Sequence, residues 1–370
     1  MLDDILANVH VVQILTAIII YAAVMQIVPG LVYFERRIAA WIQNRVGPNR
    51  VGPIGALQPL ADVIKLAFKE DITPHGSDRW IYTLAPLLVY APAILAFTIM
   101  PVGLGVEAAH FDLGLIFLLT IGSFGVYGLA FGGWASNNKY SLLGGLRSSA
   151  QMISYEVPLG LSAIPVLMIA QSVDLQTIVM MQHHVPATVA PKDPVVYESF
   201  LAGFQGFLHW NLFQQPLAAV IFLIAAFAET NRLPFDLPEC EAELVGGYHT
   251  EYSSLKFATF FLGEYVAMLT MSALMVTMFL GGWHLPWLDV PAMGIDASLS
   301  TVLLSVGIFT GKVVCLLFFF IWVRWTFPRF RYDQLMHLGW KVLIPLALAN
   351  IGLTAVGRVL GWNWLIPLPW

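Results

Sequence analysis

Charge is scarce in this sequence: Asp, Glu, Lys and Arg together make up 11% of 370 residues, where soluble domains carry roughly a quarter. Hydrophobic residues account for 58%. A chain this apolar would leave too much hydrocarbon surface in water, which excludes an ordinary soluble domain. Cysteine is almost missing, with only Cys240 and Cys315 present. Two thiols cannot ligate an iron–sulfur cluster, which usually needs four, and their positions, one in a loop and one in an apolar stretch, argue against a disulfide. None of the nine histidines falls in the middle of an apolar stretch, so paired ligands for a membrane haem are lacking. No strand pattern is evident and no Gly-rich phosphate loop follows one; nothing points to nucleic acid. If redox chemistry is involved, its electrons come from another protein.

What the sequence has in abundance is apolar runs of membrane-crossing length, about 20 residues each. Eight are legible: about 11–33, 80–101, 113–134, 153–172, 215–229, 258–280, 302–323 and 342–360. The fifth is short and is closed by Glu229. Many contain Pro or Gly, which membrane helices tolerate. The expected fold is therefore all-α, a polytopic bundle of about eight transmembrane helices forming one integral membrane domain over 1–370. The opening Met1-Leu2-Asp3-Asp4 has no basic region, so the first run reads as a retained anchor rather than a cleaved signal.

The distribution of Lys and Arg sets the orientation. With the N-terminus outside, the inner segments are 34–79, 135–152, 230–257 and 324–341, and they hold fifteen of the eighteen basic residues. The exceptions are Lys192, Lys312 and Arg358. This is the positive-inside pattern, and it suits the inner membrane of a bacterium.

The inner segments also carry the polar detail. The first contains Glu35, Arg36, Arg37 and Arg45, then a turn cluster at Gly52-Pro53 and Gly55. Beyond it, Leu57, Leu60, Ala61, Ile64, Ala67 and Phe68 recur at helical spacing, with Gln58, Asp62, Lys65 and Lys69 on the opposite face. That pattern predicts an amphipathic helix over about 57–70, lying in the interface, with Pro59 acceptable in its first turn. A surface helix that merely plugs the bundle would read the same way. The segment after Glu229 is acidic: Asp236, Glu239, Glu241, Glu243 and Glu251 follow, against Arg232 near its start. Acidic loops are usually solvated, but this one is interleaved with apolar residues such as Phe235 and stiffened by Pro234 and Pro238. Folded against the bundle, crowded carboxylates acquire raised pKa values and can carry protons near neutral pH.

Charges inside the apolar runs sharpen the expectation. Glu156, Glu264 and Lys312 lie within the fourth, sixth and seventh. A charge at the bilayer centre costs at least ~2.5–3.5 kcal/mol on insertion scales, so such residues face a partner or a polar cavity and mark ion or proton paths. A static salt bridge between helices, for instance from Lys312 to a neighbouring carboxylate, is the bland alternative. On the outer side, Tyr197, Phe200, Leu201, Phe204, Phe207 and Leu208 form an apolar stripe that reads as an interfacial helix without chemistry.

Laid out in order, these features resemble the family of the quinone-chamber membrane subunit, the H-type subunit, of the proton-translocating NADH:quinone oxidoreductase, respiratory complex I. Four blocks carry the resemblance. The first runs from Glu35-Arg36-Arg37 through Gln43-Asn44-Arg45-Val46-Gly47-Pro48-Asn49 to Leu57-Gln58-Pro59-Leu60-Ala61-Asp62. The second joins Lys139-Tyr140-Ser141-Leu142-Leu143-Gly144 to Arg147 and Gln151-Met152-Ile153-Ser154-Tyr155-Glu156. The third is the loop from Glu229 to Tyr252, and the fourth is Pro328-Arg329-Phe330-Arg331-Tyr332-Asp333-Gln334-Leu335-Met336 with Trp340-Lys341. Cys240 departs from the small residues usual at its position.

The resemblance implies more than the composition can. It implies that the chain forms the membrane end of a quinone chamber roofed by iron–sulfur subunits. Glu35, Arg36, Arg37, Arg45, Asp62 and Phe235 would lie at that chamber. Glu156, Glu229, Asp236, Glu239, Glu241, Glu243, Glu251, Glu264 and Lys312 would couple quinone reduction to a proton route. Quinone is the implied substrate; the chain itself binds no cofactor, while NADH, FMN and iron–sulfur clusters belong to partner subunits. Three rivals remain open on the sequence alone. One is a related subunit of a membrane-bound hydrogenase or other-donor assembly. The second is a secondary transporter acting alone, which usually shows internal repeats. The third is a passive membrane anchor.

Overall fold

A computed structural model describes residues 9–182, 195–196, 206–236, 244–286, 288–289 and 299–361. Twelve α-helices are seen among them, and each of the eight apolar runs lies on one. Helix α1 covers Val9–Ile42, α2 Gln58–Phe68, α3 Arg79–Leu95, α4 Gly114–Ala135 and α5 Lys139–Ala170. Then come α6 at Leu175–Met181, α7 at Asn211–Gln214 and α8 at Pro216–Glu229. Helix α9 is Ser254–Phe279 and α10 Leu299–Thr326. A short α11, Tyr332–His337, passes through a wide turn at Leu338–Leu343 into α12, Ile344–Val359. Seven of these segments are long and apolar enough to cross a membrane; Pro216–Glu229 is shorter. A two-residue antiparallel contact, Val195 with Asp289 and Val196 with Leu288, is too brief to show as alternation in the sequence.

The helices begin and end where local chemistry dictates. Asp78 caps α3 by accepting from the Trp80 and Ile81 amides, Asn138 caps α5 through the Tyr140 amide, and Asp174 caps α6; each satisfies donors that the first turn leaves over. Two helices run past their apolar stretches. Helix α1 continues to Ile42 because Ile38, Ala39 and Ala40 are buried there, and it stops where Asn44 turns left-handed and the Arg45 amide bonds back to the Ala40 carbonyl at 2.9 Å, a common helix end. Helix α5 starts at Lys139, because small residues let its polar first turns pack closely. A Cβ at Gly133 would stand 2.5 Å from the Ser141 carbonyl, and one at Gly144 would meet the Gly247 and Tyr248 backbone at 2.7 Å.

Helix α9 lies at the centre: 78% of its most apolar window is buried, against 22% for α1 and for α10 at the periphery. The main core packs Val266, Leu274, Val276 and Phe279 of α9 against Phe222 and Ala225 of α8, Leu159 and Val166 of α5, and Val24 and Val28 of α1. A smaller core gathers Tyr82, Tyr248, Tyr252 and Phe260 at the end of the bundle where basic residues concentrate. The central helix thus brings Glu264 and Tyr265 into contact with α1, α8 and the segment that follows α8. The amphipathic α2 turns Gln58 and Asp62 toward the bundle, while Lys65 and Lys69 stay exposed. Pro59 is buried and Asp62 half-buried, while Leu57, Leu60, Ile64 and Phe68 stay exposed, as a helix lying on lipid requires.

Candidate functional site

At the basic end of the bundle the residues following α8 fold back under the helices. Gln151 of α5 holds them: its amide nitrogen donates its two hydrogens to the carbonyls of Ala228 and Phe235, both at 2.8 Å, with the Asn231 side-chain oxygen 3.2 Å from the same nitrogen. Phe235 is thereby buried, with its ring 5.7 Å from that of Tyr155 and 5.6 Å from that of Phe330. Tyr155 in turn donates to the Leu335 carbonyl at 2.9 Å.

This fold-back delivers Arg232 into the middle of the bundle, where its side chain is 5% exposed. It lies 3.7 Å from Glu35 of α1 and 3.8 Å from Glu264 of α9, with its guanidinium 4.4 Å above the Tyr265 ring. Tyr265 donates to Glu35 at 2.7 Å and Tyr248 to Glu264 at 2.6 Å. Arg324, near the end of α10, pairs with the same Glu35 carboxylate. Asp236 and Arg329, 3.3 Å apart, extend the cluster toward the surface. Three guanidinium groups therefore face three carboxylates, a balance that offsets the cost of burying so many charges. Burial pushes the Asp236 carboxyl up to about 6, against the pull of Arg329; desolvation disfavours its charged form more than the partly exposed arginine favours it.

A cavity of about 60 Å³ opens beside the cluster, between α3, α4, α5, α8 and α9. Glu229, Thr230, Asn231, Tyr248 and Glu264 supply its polar wall. At roughly 10–15 Å³ per water centre, it has room for a short string of waters. Glu229 is buried, and one of its carboxylate oxygens meets no hydrogen-bond donor among the described residues. Glu156 of α5 is its electrostatic neighbour, standing half-buried beside Ser123 of α4. A row of ionisable groups thus runs from the Asp236–Arg329 pair, through Arg232, Glu35 and Glu264, to the Glu229–Glu156 pair in the bundle interior.

The structure separates residues that the sequence sets side by side. Glu35 points into the cluster, whereas the adjacent Arg36 reaches Asp62 of α2 at 2.5 Å, with Lys65 3.8 Å from the same carboxylate. Arg37 donates to the Pro48 carbonyl at 3.2 Å, and the exposed Arg45 donates to the Gln43 side chain at 2.6 Å. Glu251 belongs to the smaller core: Asn138 donates to its carboxylate at 2.5 Å and Tyr82 to its carbonyl at 2.7 Å. Lys312 lies elsewhere again. Its amine donates to the carbonyls of Leu280, Gly282 and His284 and lies over the Trp210 ring at 4.2 Å. Those carbonyls follow the end of α9, about 24 Å along the helix from Glu264 at 1.5 Å per residue. Glu239, Glu241, Glu243 and Cys240 lie outside the described residues, as does most of the apolar stripe that begins at Tyr197.

Several groups in the cluster are not singled out by the sequence. Arg324 closes an apolar run and looks there like an ordinary flanking cation. Arg232 stands out only as the cation nearest the start of an acidic loop, a signal that could have marked it as the carboxylates' partner. Tyr248, Tyr265 and Gln151 give no pattern, because hydrogen-bonding partners far apart in the chain leave no local trace.

Comparison with known proteins identifies the family. A family model described as NADH dehydrogenase matches residues 14–355. A relative from Geobacter metallireducens, an NADH-quinone oxidoreductase subunit of type H 1, is 47% identical over 345 residues, covering 91% of this chain and 93% of the relative. NADH-quinone oxidoreductase subunit 8 of Rhodothermus marinus is 47% identical over 349 residues, covering 94% and 97%. The H-type subunit of Brevibacillus brevis is 45% identical over 343 residues, covering 93% and 92%.

Proposed function

Because the chain belongs to the family of H-type subunits of NADH-quinone oxidoreductase, a multi-subunit membrane enzyme, we propose that it forms the membrane end of the quinone chamber and couples quinone reduction to proton movement. The observation that carries this reading is the row of charges that starts at the partly exposed Arg329 and its partner Asp236 and continues through the buried Arg232 to the buried Glu264 and Glu229. Buried ionisable groups in a membrane bundle mark ion or proton routes, and no simpler structural task needs so many in one line. Electrons arrive from iron–sulfur clusters in the partner subunits that roof the chamber, and this chain holds the quinone and responds to its charge. The basic ends of the bundle face the bacterial cytoplasm, with the N-terminus on the outer side of the inner membrane.

The response follows from electrostatics. Reduction places negative charge where the medium is apolar, and Coulomb forces there are several times stronger than in water. Arg329 and Arg232 are drawn toward that charge. Each carboxylate that shares a guanidinium then loses part of its compensation and is readier to take a proton. Arg232 serves both Glu35 and Glu264, so a displacement toward one leaves the other to bind a proton. From Glu264 the proton reaches Glu229 through water in the intervening cavity, and Glu156 continues the route. Arg36 and Asp62 tie α1 to α2 at the rim of the chamber, where the exposed apolar face of α2 meets lipid, and Arg37 and Arg45 add positive charge on the turn beside them. The acidic stretch that includes Glu239, Glu241 and Glu243, together with Glu251, supplies further proton-binding groups.

Glu264→Gln in the assembled complex tests the reading. NADH-dependent quinone reduction falls, whereas NADH oxidation by ferricyanide, which needs the partner subunits alone, is unchanged. Unimpaired quinone reduction in a fully assembled variant would remove Glu264 from the route.

A further inference from the structure

We propose that the outer flank of α10 holds a single lipid acyl chain in a dedicated groove. A cavity of about 590 Å³ lies there. One wall is a continuous stripe of α10 made of Ile308, Gly311, Lys312, Cys315, Leu316 and Phe319, spaced three and four residues apart on one helical face. The other wall is Leu280 and Leu285, just past the end of α9. The stripe is about 16 Å long at 1.5 Å per residue.

Lys312 decides the chemistry of the occupant. A lysine beside a membrane groove would ordinarily suggest an anionic headgroup. Here the amine has three donors, and all three are given to the carbonyls of Leu280, Gly282 and His284, while the Trp210 ring covers it. What Lys312 offers the groove is its methylene stem. The wall is therefore apolar along its whole length, and an uncharged hydrocarbon chain fits it where a phosphate does not.

The groove is also continuous with the face of α10 that meets the bilayer. Gly311 and Cys315 belong to the groove and are exposed, and the neighbouring Val314, Phe318 and Trp322 are exposed apolar residues that a membrane protein turns to lipid. A Cβ built at Gly311 meets nothing within 4 Å, so this chain does not fill the space itself. A lipid tail can slide from the bilayer into the groove without crossing any polar group. The rival occupant is a transmembrane helix of another subunit, since Gly307 and Gly311 have the spacing that lets helices approach closely.

The test uses the whole complex reconstituted in phosphatidylcholine vesicles that contain a phosphatidylcholine with a diazirine on its acyl chain. On illumination, label concentrates on the groove residues Ile308, Gly311, Cys315, Leu316 and Phe319 of the wild type. Gly311→Phe, whose ring folds into the empty groove, keeps quinone reductase activity and loses that label, while label on the exposed Phe318 side of α10 persists. Equal labelling of the groove in wild type and variant would show ordinary bilayer contact and overturn the proposal. Absence of label from α10 altogether would show that another subunit covers this face, and would overturn it too.

Discussion

Removal of the Arg232 guanidinium is the perturbation whose consequence is best determined by the structure. The group lies 3.7 Å from Glu35 and 3.8 Å from Glu264, and at an effective dielectric near 20 each contact is worth about 4 kcal/mol of gross attraction. Desolvation cancels much of that, and removing one partner of a buried pair costs about 3–5 kcal/mol, because a carboxylate is left uncompensated. In Arg232→Met the two carboxylates fare differently. Glu35 keeps Arg324 and the Tyr265 hydroxyl. Among the described contacts Glu264 keeps the Tyr248 hydroxyl and loses the cation at 3.8 Å, so the larger share of the penalty is expected there. The complex should then inactivate several degrees lower, as read from residual quinone reductase activity after heating. Neutralising that acid should restore stability: the double variant Arg232→Met with Glu264→Gln regains about 1–3 kcal/mol relative to additive losses. Arg232→Lys recovers part of the loss through its charge, but not the planar contact with Tyr265. Strictly additive losses in the double variant would refute the view that Arg232 chiefly compensates Glu264.

Three further outcomes follow from the same geometry. Asp236, with its carboxyl raised from an ordinary 3.8 to about 6, favours the fold in its protonated form. That contribution is complete below about pH 4 and is lost as pH rises through 6; Asp236→Asn flattens the pH dependence of thermal inactivation over that window, and an unchanged profile would contradict the assignment. Gln151→Leu leaves the Ala228 and Phe235 carbonyls without their shared donor, costing about 2–3 kcal/mol; hydrogen exchange at 230–236 accelerates, and unaltered exchange would show that the segment is held by other contacts. Lys312→Met removes the donor to three carbonyls beyond α9 and lowers thermal stability, yet leaves the number of protons moved per NADH unchanged; a lower ratio in the assembled variant would return Lys312 to the proton route.

Much of the fold is legible in the sequence because it rests on composition and period. Apolar runs of membrane-crossing length and the clustering of Lys and Arg need no knowledge of tertiary contacts, and the helices stand where those runs are. What stays hidden depends on contacts between distant residues. The ends of α1 and α5 extend into polar sequence because Ala39, Ala40, Gly144 and Gly145 pack closely against other elements, which hydropathy cannot register. Glu35 and Arg36 look alike in sequence, but successive residues on a helix face directions about 100° apart, so one enters the buried cluster and the other pairs with α2. Glu264 and Glu229 draw attention as charges in apolar surroundings. Arg324, Tyr248 and Tyr265 do not, because a cation at a helix end or a tyrosine in a membrane protein is unremarkable until its partner is known. Lys312 groups with the glutamates by its mid-helix position alone; its three carbonyl partners instead tie α10 to the far end of α9.

The most direct test of the proposed coupling is proton translocation by Glu229→Gln in proteoliposomes, measured as internal pH change per NADH oxidised alongside the rate of quinone reduction. The account predicts an assembled complex in which translocation collapses and quinone reduction slows with it, because the buried Glu229 carboxylate at the cavity wall is an obligatory stop on the route. Wild-type translocation and wild-type turnover in that variant would contradict it.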